Sequence, residues 1–257
     1  MKSLNLCLAA VLALAPLGPA TGSRRRKAGA QPPDKPTSYY EKRTLRGWTL
    51  RVHRDLLDAK NATLRAEALA ELDNHFYRIE RVVPAGALRK LKTVVIWLEY
   101  DNPKGRHAHY HPSAGWLKAN AYNPDKVKCV EIGSARSFLR AVRHQPWLVL
   151  HELTHAYHDQ VLGWEHAKIK SAYEAARKSG TYDKVLIWNG RVGRHYAMTN
   201  HKEYFAETTE AYFGTNDIYP FVKAELKRHD PRMYELLGEI WSVTPPTGPT
   251  QPAAPKG

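Results

Sequence analysis

The first half of the chain shows three different patterns of apolar and polar residues. Residues 48–54 place apolar side chains at every second position, which is typical of a strand with one buried face. Residues 61–81 repeat apolar side chains at helical spacing and predict an amphipathic helix, with Asn61 as its N-cap. Residues 93–99 contain an unbroken apolar run, which predicts a strand buried on both faces.

The second half of the chain has mainly helical periodicity. Residues 126–132 are expected to form an edge strand, and Ser134 is expected to cap the short helix that follows. A hairpin over residues 184–196 is indicated by the turn-forming pair Asn189-Gly190. Further helices are expected in residues 146–163, 165–179, 201–213, 218–228 and 230–241. These elements predict an α+β fold, in which a small mixed sheet packs against a mostly helical C-terminal half.

The two ends of the chain are expected to lie outside the folded domain. Residues 1–22 have the composition of a secretory signal peptide, although an uncleaved N-terminal anchor is the alternative. Residues 23–38 are basic and rich in Gly and Pro, and they predict a disordered linker. Residues 243–257 predict a disordered Pro-rich tail. A single domain over residues 39–242 remains, in a protein that is secreted or held in the periplasm or cell envelope.

Charge and cysteine content limit the classes of partner and of covalent cross-link. The formal net charge is +14, from 39 basic and 25 acidic residues, and many of the basic residues are mixed with acids. This favours solubility and weak attraction to acidic partners over a specific nucleic-acid site. Removal of the signal peptide would leave Cys129 as the only cysteine, which excludes an intrachain disulfide. We expect a monomer without a transmembrane span.

The segment that points to chemistry is His-Glu-x-x-His, within the predicted helix 146–163. Residues four positions apart lie on the same face of a helix, so His151 and His155 can bind one metal ion. Glu152 then flanks the ion and can take a proton from a metal-bound water. The motif is a modest signal by itself, because an ordinary helix with two histidines has the same letters.

A second helix supplies the carboxylates that such an ion needs. Glu203, Glu207 and Glu210 stand at helical spacing, and no Lys or Arg lies between residues 203 and 213. Three stacked carboxylates repel one another unless a cation is near. Glu203 is the candidate third ligand, and Glu207 is the candidate hydrogen-bond partner of a ligand histidine. Glu210 has no assigned role; it can cap, pair with a basic residue or face solvent. Two imidazoles and one carboxylate favour one Zn²⁺ per chain.

Other histidines are alternative ligands. His158, His195 and His201 lie near the motif or near Glu203 in the sequence, and each could replace Glu203 as the third ligand. Residues 101–124 form an irregular segment that contains His107, His109 and His111. Alternating histidines can bind a second metal ion, but such a segment is more often the rim of a site.

In combination these motifs resemble the gluzincin group of zinc metallopeptidases, and more closely the C-terminal catalytic domain of anthrax lethal factor. The likeness covers residues 93–213 and includes the run Tyr-Ala-x-x-Asn at residues 196–200, seven residues before the candidate ligand. It implies a zincin-like fold, with His151, His155 and Glu203 as zinc ligands and Glu152 as general base. It also implies that Glu207 supports a ligand and that Tyr196 stabilises the oxyanion. The alternative for Tyr196 is a buried core residue.

These observations predict a secreted, zinc-dependent metallopeptidase that acts on a peptide or protein substrate. Two other classes of function remain open. One is a non-catalytic secreted module that binds zinc and uses its groove for a partner, and the other is a metal-dependent hydrolase of a non-peptide substrate. A base such as Glu152 argues against the binding module, because it serves chemistry rather than structure.

Overall fold

A five-stranded mixed sheet organises the computed structural model, which describes residues 33–105 and 107–242. Its strands are β1 (Tyr40–Leu45), β2 (Trp48–His53), β3 (Ile96–Leu98), β4 (Ala108–Tyr110) and β5 (Val130–Ile132). They lie in the order β1-β2-β3-β5-β4. The three central strands are parallel, whereas the edge strands β1 and β4 are antiparallel to their neighbours. The prediction of an α+β fold with a mixed sheet is confirmed.

The predicted position of the edge strand is wrong. Residues 126–132 contain β5, and Val130 pairs with Ile96 on one side and with Tyr110 on the other, so β5 is an interior strand. The edge is β4, which lies in the segment that we predicted to be irregular. A strand of three residues is too short to show a period-two pattern. The same segment also contains helix α3 (Ala114–Ala119), capped by Ser113.

Helix α1 (Ala62–Val82) is the amphipathic helix that its periodicity predicts. Its buried apolar side chains are Leu64, Ala68, Leu72, Phe76 and Ile79. Phe76 stacks on Trp48 of β2 with 4.3 Å between the ring centroids, which joins the helix to the sheet. Helix α2 (Ala85–Leu91) follows. Ser134 caps helix α4 (Ala135–Ala141) as predicted, because its hydroxyl accepts a hydrogen bond from the backbone amide of Ser137.

Asn61 does not cap α1, contrary to our prediction. Its side chain makes no capping bond and instead donates to the backbone carbonyl of Asp55 at 2.7 Å. Asn61 is buried, and a buried carbonyl without a donor is costly, so the amide serves the carbonyl rather than the helix end.

The C-terminal half is mostly helical, as expected. The helices here are α5 (Leu148–Tyr157), α6 (Ala167–Ser179), α7 (His201–Phe213), α8 (Lys223–His229) and α9 (Pro231–Trp241). Helix α5 continues as a π-helical turn over His158–Leu162 and ends at Gly163, which has a φ of 81°. The two short strands β6 (Val185–Leu186) and β7 (Val192–Gly193) form the predicted hairpin, and Gly190 has a φ of 82° in its turn. Asp230 caps α9 by accepting a hydrogen bond from the amide of Met233.

The predicted helix over residues 218–228 begins only at Lys223. Ile218 pairs with Ile187 in an isolated antiparallel bridge, and the amide of Tyr219 donates to the carbonyl of Leu186 at 2.8 Å. These long-range backbone bonds hold the start of the segment against the hairpin and prevent a helical turn there.

Residues 33–38, the end of the predicted disordered linker, contact the sheet. The Asp34 carboxylate accepts hydrogen bonds of 2.7 Å from Lys104 and from the fully buried Lys126. Lys126 also donates to Glu99 and Glu131, so one ammonium group faces three carboxylates. A buried charge without a partner is strongly unfavourable, and Asp34 supplies one of the partners of Lys126. The part of the chain that contacts the sheet therefore starts before residue 39.

The predicted signal peptide, the rest of the linker and the Pro-rich tail lie outside the described residues. Within residues 33–242, apart from position 106, no helix combines the length and the apolar character that a bilayer span requires.

The stacked pair that joins α1 to the sheet gives a test of the core. Phe76→Ala should lower the free energy of unfolding by about 3–5 kcal/mol, because Phe76 is fully buried and its removal leaves a cavity. Tyr77 is 47% exposed, and Tyr77→Ala should lower it by about 1 kcal/mol or less. Urea unfolding of both variants measures the difference, and equal losses would contradict this view of the core.

Candidate metal centre

Helices α5 and α7 pack against each other and run in opposite directions. Gln145, just before α5, donates to Glu210 near the end of α7, whereas His155 near the end of α5 meets Glu203 near the start of α7. All ten residues of α5 are buried, and so are residues 204–211 of α7. The polar side chains of the two helices are therefore withdrawn from water and must satisfy one another.

Three side chains converge at this helix pair. The Nε2 atoms of His151 and His155 are 3.1 Å apart, and each is 3.2 Å from the Oε2 atom of Glu203. Ligand atoms at about 2.0–2.1 Å from a tetrahedral ion are roughly 3.3–3.4 Å from one another. The three atoms thus lie close to the corners that one ion requires. These residues fit a metal ion, and they form a group that could hold one.

The Nδ1 atom of His151 lies closer to Glu210 than to Glu207, the acid that we predicted as the hydrogen-bond partner of a ligand histidine. His151 Nδ1 is 2.7 Å from Glu210 Oε1 and 3.5 Å from Glu207 Oε1. Glu207 instead accepts a hydrogen bond of 3.1 Å from the side chain of Asn216. With Nδ1 facing a carboxylate, Nε2 of His151 faces Glu203 and His155, and it is the ring nitrogen that would bind a metal ion on losing its proton.

Glu210 had no assigned role because sequence spacing leaves two choices. Glu207 and Glu210 are four and seven residues beyond Glu203, so both follow the same stripe of α7. In an antiparallel helix pair, either carboxylate can reach the histidine one turn before His155. In the structure Glu207 accepts a hydrogen bond from the side chain of Asn216, nine residues further on, and Glu210 lies at the histidine.

The charges at the helix pair shift the protonation equilibria of its members. Although burial favours the neutral carboxyl, His155 and His151 hold the pKa of Glu203 below its usual value. Burial opposes protonation of His151, but Glu203 and Glu210 raise its pKa well above the usual value. Burial and the charge of Glu210 raise the pKa of Glu207 well above the usual range. Glu203 thus remains an anion, as a metal ligand should, and a cation relieves the repulsion among the acids.

Glu152 points from α5 toward the edge strand. Its side chain is buried, and its Oε2 atom accepts a hydrogen bond of 2.8 Å from the backbone amide of Tyr110 in β4. Burial raises the pKa of Glu152, and the neighbouring charges of His151 and His155 act in the opposite direction. A carboxylate whose pKa is raised in this way is a stronger base than an exposed glutamate.

Tyr196 lies in a short 3₁₀ turn, Tyr196–Thr199, directly after the β6–β7 hairpin. It is half-buried, and burial together with the charge of Glu203 raises the pKa of its phenol. The raised pKa keeps the phenol protonated. No hydrogen bond of its hydroxyl is seen among the described residues, so the proton is available for donation. Asn200, which ends the Tyr-Ala-x-x-Asn run, caps α7 by accepting from the amides of Lys202 and Glu203. The run therefore fixes the start of the helix that carries Glu203.

The alternative ligands lie elsewhere. His158 is fully buried among aromatic rings, and neither of its ring nitrogens has a hydrogen-bond partner in the described part of the chain. His195 Nδ1 accepts from the amide of Ala197, and burial lowers its pKa to about 3. His201 bonds through Nε2 to the carbonyl of Trp164. Glu203, rather than one of these histidines, completes the group around His151 and His155.

A second polar cluster lies on the other face of the sheet. Glu131 Oε2 is 3.1 Å from His109 Nε2 and 2.7 Å from His111 Nε2, and the three side chains could also hold a metal ion. Lys126 and Asn102 donate to the other oxygen of Glu131, so this carboxylate already has four partners, one of them a cation. The cluster is complete through hydrogen bonds alone, and we favour the site on α5 and α7 for the ion.

Comparison of the chain with protein family models, with characterised proteins and with solved structures finds no match. The likeness to anthrax lethal factor therefore rests on the motifs quoted above and stays a prediction.

The third ligand can be tested by metal content. Wild-type protein should contain about one divalent ion per chain, and Glu203→Ala should contain almost none, because two imidazoles alone bind an ion far more weakly. His201→Ala is the matched control, since its ring bonds a carbonyl and lies outside the group. Elemental mass spectrometry after dialysis gives the stoichiometry. Metal retained by Glu203→Ala would contradict the assignment.

The supporting carboxylate can be tested by metal affinity. Glu210→Gln should weaken metal binding by about 10–100-fold, because it removes the charge that orients His151. Glu207→Gln should have a much smaller effect, because Glu207 makes no hydrogen bond to that ring. Titration against a competing chelator compares the two variants. A larger loss in Glu207→Gln than in Glu210→Gln would restore our original assignment.

Proposed function

We propose that this chain is a secreted zinc metallopeptidase that hydrolyses peptide bonds. The observation that carries the proposal is the convergence of His151, His155 and Glu203 at mutual distances of 3.1–3.2 Å, beside the buried carboxylate of Glu152. Secretion is proposed from the composition of residues 1–22, which lie outside the described residues.

The donor set supports zinc as the ion. Two neutral imidazoles and one carboxylate form the three-ligand set of catalytic zinc sites, which leave a fourth position open. When bound, zinc would lower the pKa of a water molecule and polarise the scissile carbonyl. Glu203 remains partly accessible to solvent, with 18% of its side chain exposed, which supports a site that water and substrate can reach.

Glu152 is the proposed general base. The amide of Tyr110 binds one carboxylate oxygen, which fixes the side chain and leaves the other oxygen for a water molecule. Glu152 would accept the proton of that water and pass it to the leaving amine. Its raised pKa makes the carboxylate a stronger acceptor for the proton of the water.

Tyr196 is the proposed donor to the oxyanion. Its phenol keeps its proton at neutral pH and shares the charge environment of Glu203 and His151. A donor of this kind typically contributes about 2.7–4 kcal/mol to stabilisation of the transition state.

The edge strand supports an extended peptide as the substrate. β4 is the last strand of the sheet within the described residues, and its Tyr110 contacts the general base through the backbone. A peptide in extended conformation can add to an exposed sheet edge by main-chain hydrogen bonds. The substrate would then pass close to Glu152.

The proposal predicts that Glu152→Gln keeps its metal ion but loses nearly all turnover, because an amide cannot accept the proton. Tyr196→Phe should fold normally and lose about 10²–10³-fold in kcat, because only the donated hydrogen bond is removed. Cleavage of casein and of a peptide library, followed by mass spectrometry, measures both effects alongside metal content.

The same assay separates the peptidase from the other two classes of function. A binding module would cleave nothing, and a non-peptide hydrolase would leave peptides intact but show chelator-sensitive activity on another substrate. Wild-type turnover by Glu152→Gln would refute the proposed mechanism.

A further inference from the structure

The β6–β7 hairpin exposes an unusual amount of apolar surface. Seven large hydrophobic side chains are exposed in the described part of the chain, and three of them lie within residues 186–192. These three are Leu186, Trp188 and Val192, with exposed fractions of 46%, 49% and 65%. They form one small apolar patch rather than single scattered residues, and such a patch is a candidate binding surface when its neighbours suit a partner.

The hairpin holds these side chains in place. Leu186 and Val192 are directly opposite each other in the register, so they project from the same face. The Trp188 ring stacks on His144 with 3.9 Å between centroids, and its amide donates to the carbonyl of Asp217 at 2.8 Å. The apolar tip is therefore a fixed part of the surface rather than a loose loop.

Basic residues are close to the apolar tip in the sequence. Lys184, Arg191 and Arg194 are exposed, and the sequence has no acid between residues 184 and 194. Arg143, next to the histidine under Trp188, is also exposed. The nearest acid before the hairpin, Asp183, pairs with Arg194 at 3.3 Å. Lys184, Arg191 and Arg143 have no ion pair within the described part of the chain and therefore supply positive charge, whereas the charge of Arg194 is balanced.

We propose that this hairpin binds the surface of an anionic lipid bilayer. Apolar and aromatic side chains enter the boundary between headgroups and acyl chains, whereas Lys and Arg attract anionic headgroups. Trp188 is well suited to that depth, because an indole ring prefers the membrane interface. The net charge of +14 adds a general attraction to such a surface.

The size of the patch favours a bilayer over a protein partner. Three half-exposed side chains offer roughly 200–300 Å² of apolar surface. A stable protein interface buries about 800 Å² on each partner, a little over half of it apolar, and this patch is smaller than that apolar share. Shallow insertion into lipid needs no such area, because charge attraction supplies part of the affinity.

Co-sedimentation of the full chain with lipid vesicles tests the proposal. Wild type should bind vesicles that contain about a quarter of phosphatidylglycerol and bind phosphatidylcholine vesicles much more weakly. Leu186→Ser with Val192→Ser should reduce binding to the anionic vesicles by about fivefold or more. The matched control is Val161→Ser with Val222→Ser, which removes two exposed valines elsewhere and should bind as wild type.

The charge contribution has its own matched pair. Arg191→Glu should weaken binding about fivefold or more, whereas Arg89→Glu, with the same change in net charge on the exposed end of α2, should not. Circular dichroism confirms that each variant is folded.

Wild-type binding by the hairpin variants would overturn the proposal and place the contact elsewhere, for example on the basic run at residues 24–27. No binding of wild type to either vesicle would also overturn it. Peptidase activity is not the readout, so this result and that of the proposed function are independent.

Discussion

Burial of ionisable side chains between α5 and α7 is the constraint on which the candidate site depends. An imidazole or carboxylate withdrawn from water is unfavourable unless it has a partner of suitable charge and geometry. The two helices supply most of these partners to each other. Glu203 lies between the two histidines, and Glu210 faces Nδ1 of His151. Gln145, just before α5, donates to Glu210. The remaining acid, Glu207, accepts a hydrogen bond from the side chain of Asn216. A cation at the convergence point would complete the balance.

The sequence was most informative where one pattern determines one contact. The apolar spacing of α1 places Phe76 in the core, and the four-residue spacing of His151 and His155 places both rings on one face. It was less informative where tertiary contacts choose between equivalent positions. Glu207 and Glu210 lie on one stripe, and only the tertiary structure shows that Glu210 meets His151 while Glu207 bonds to Asn216. Asn61 likewise has the right chemistry for a cap, but its side chain donates to the carbonyl of Asp55, six residues earlier.

The edge strand β4 lies between two polar clusters and contributes to both. Side chains of a strand alternate between the two faces of its sheet, so Ala108 and Tyr110 join the core while His109 turns to Glu131. The backbone of the same strand binds the candidate base Glu152 through Tyr110. The three residues of β4 thus contact both the helix pair and Glu131, which binds the buried Lys126 on the opposite face of the sheet. No pattern of apolar residues could have revealed this strand, because its position follows from pairing with β5.

The contacts of Asp34 tie a segment before the first strand to the sheet. Lys126 is fully buried and balanced by three carboxylates, one of which comes from a segment with the composition of a tether. Asp34 also binds Lys104, at the start of the loop that leads into β4. A shortened chain that began at the first strand would remove one of these anions and leave two lysines with less compensation. The segment before the first strand therefore supplies a carboxylate that neutralises lysines beside the sheet. A protein trimmed to its regular secondary structure would lack that carboxylate.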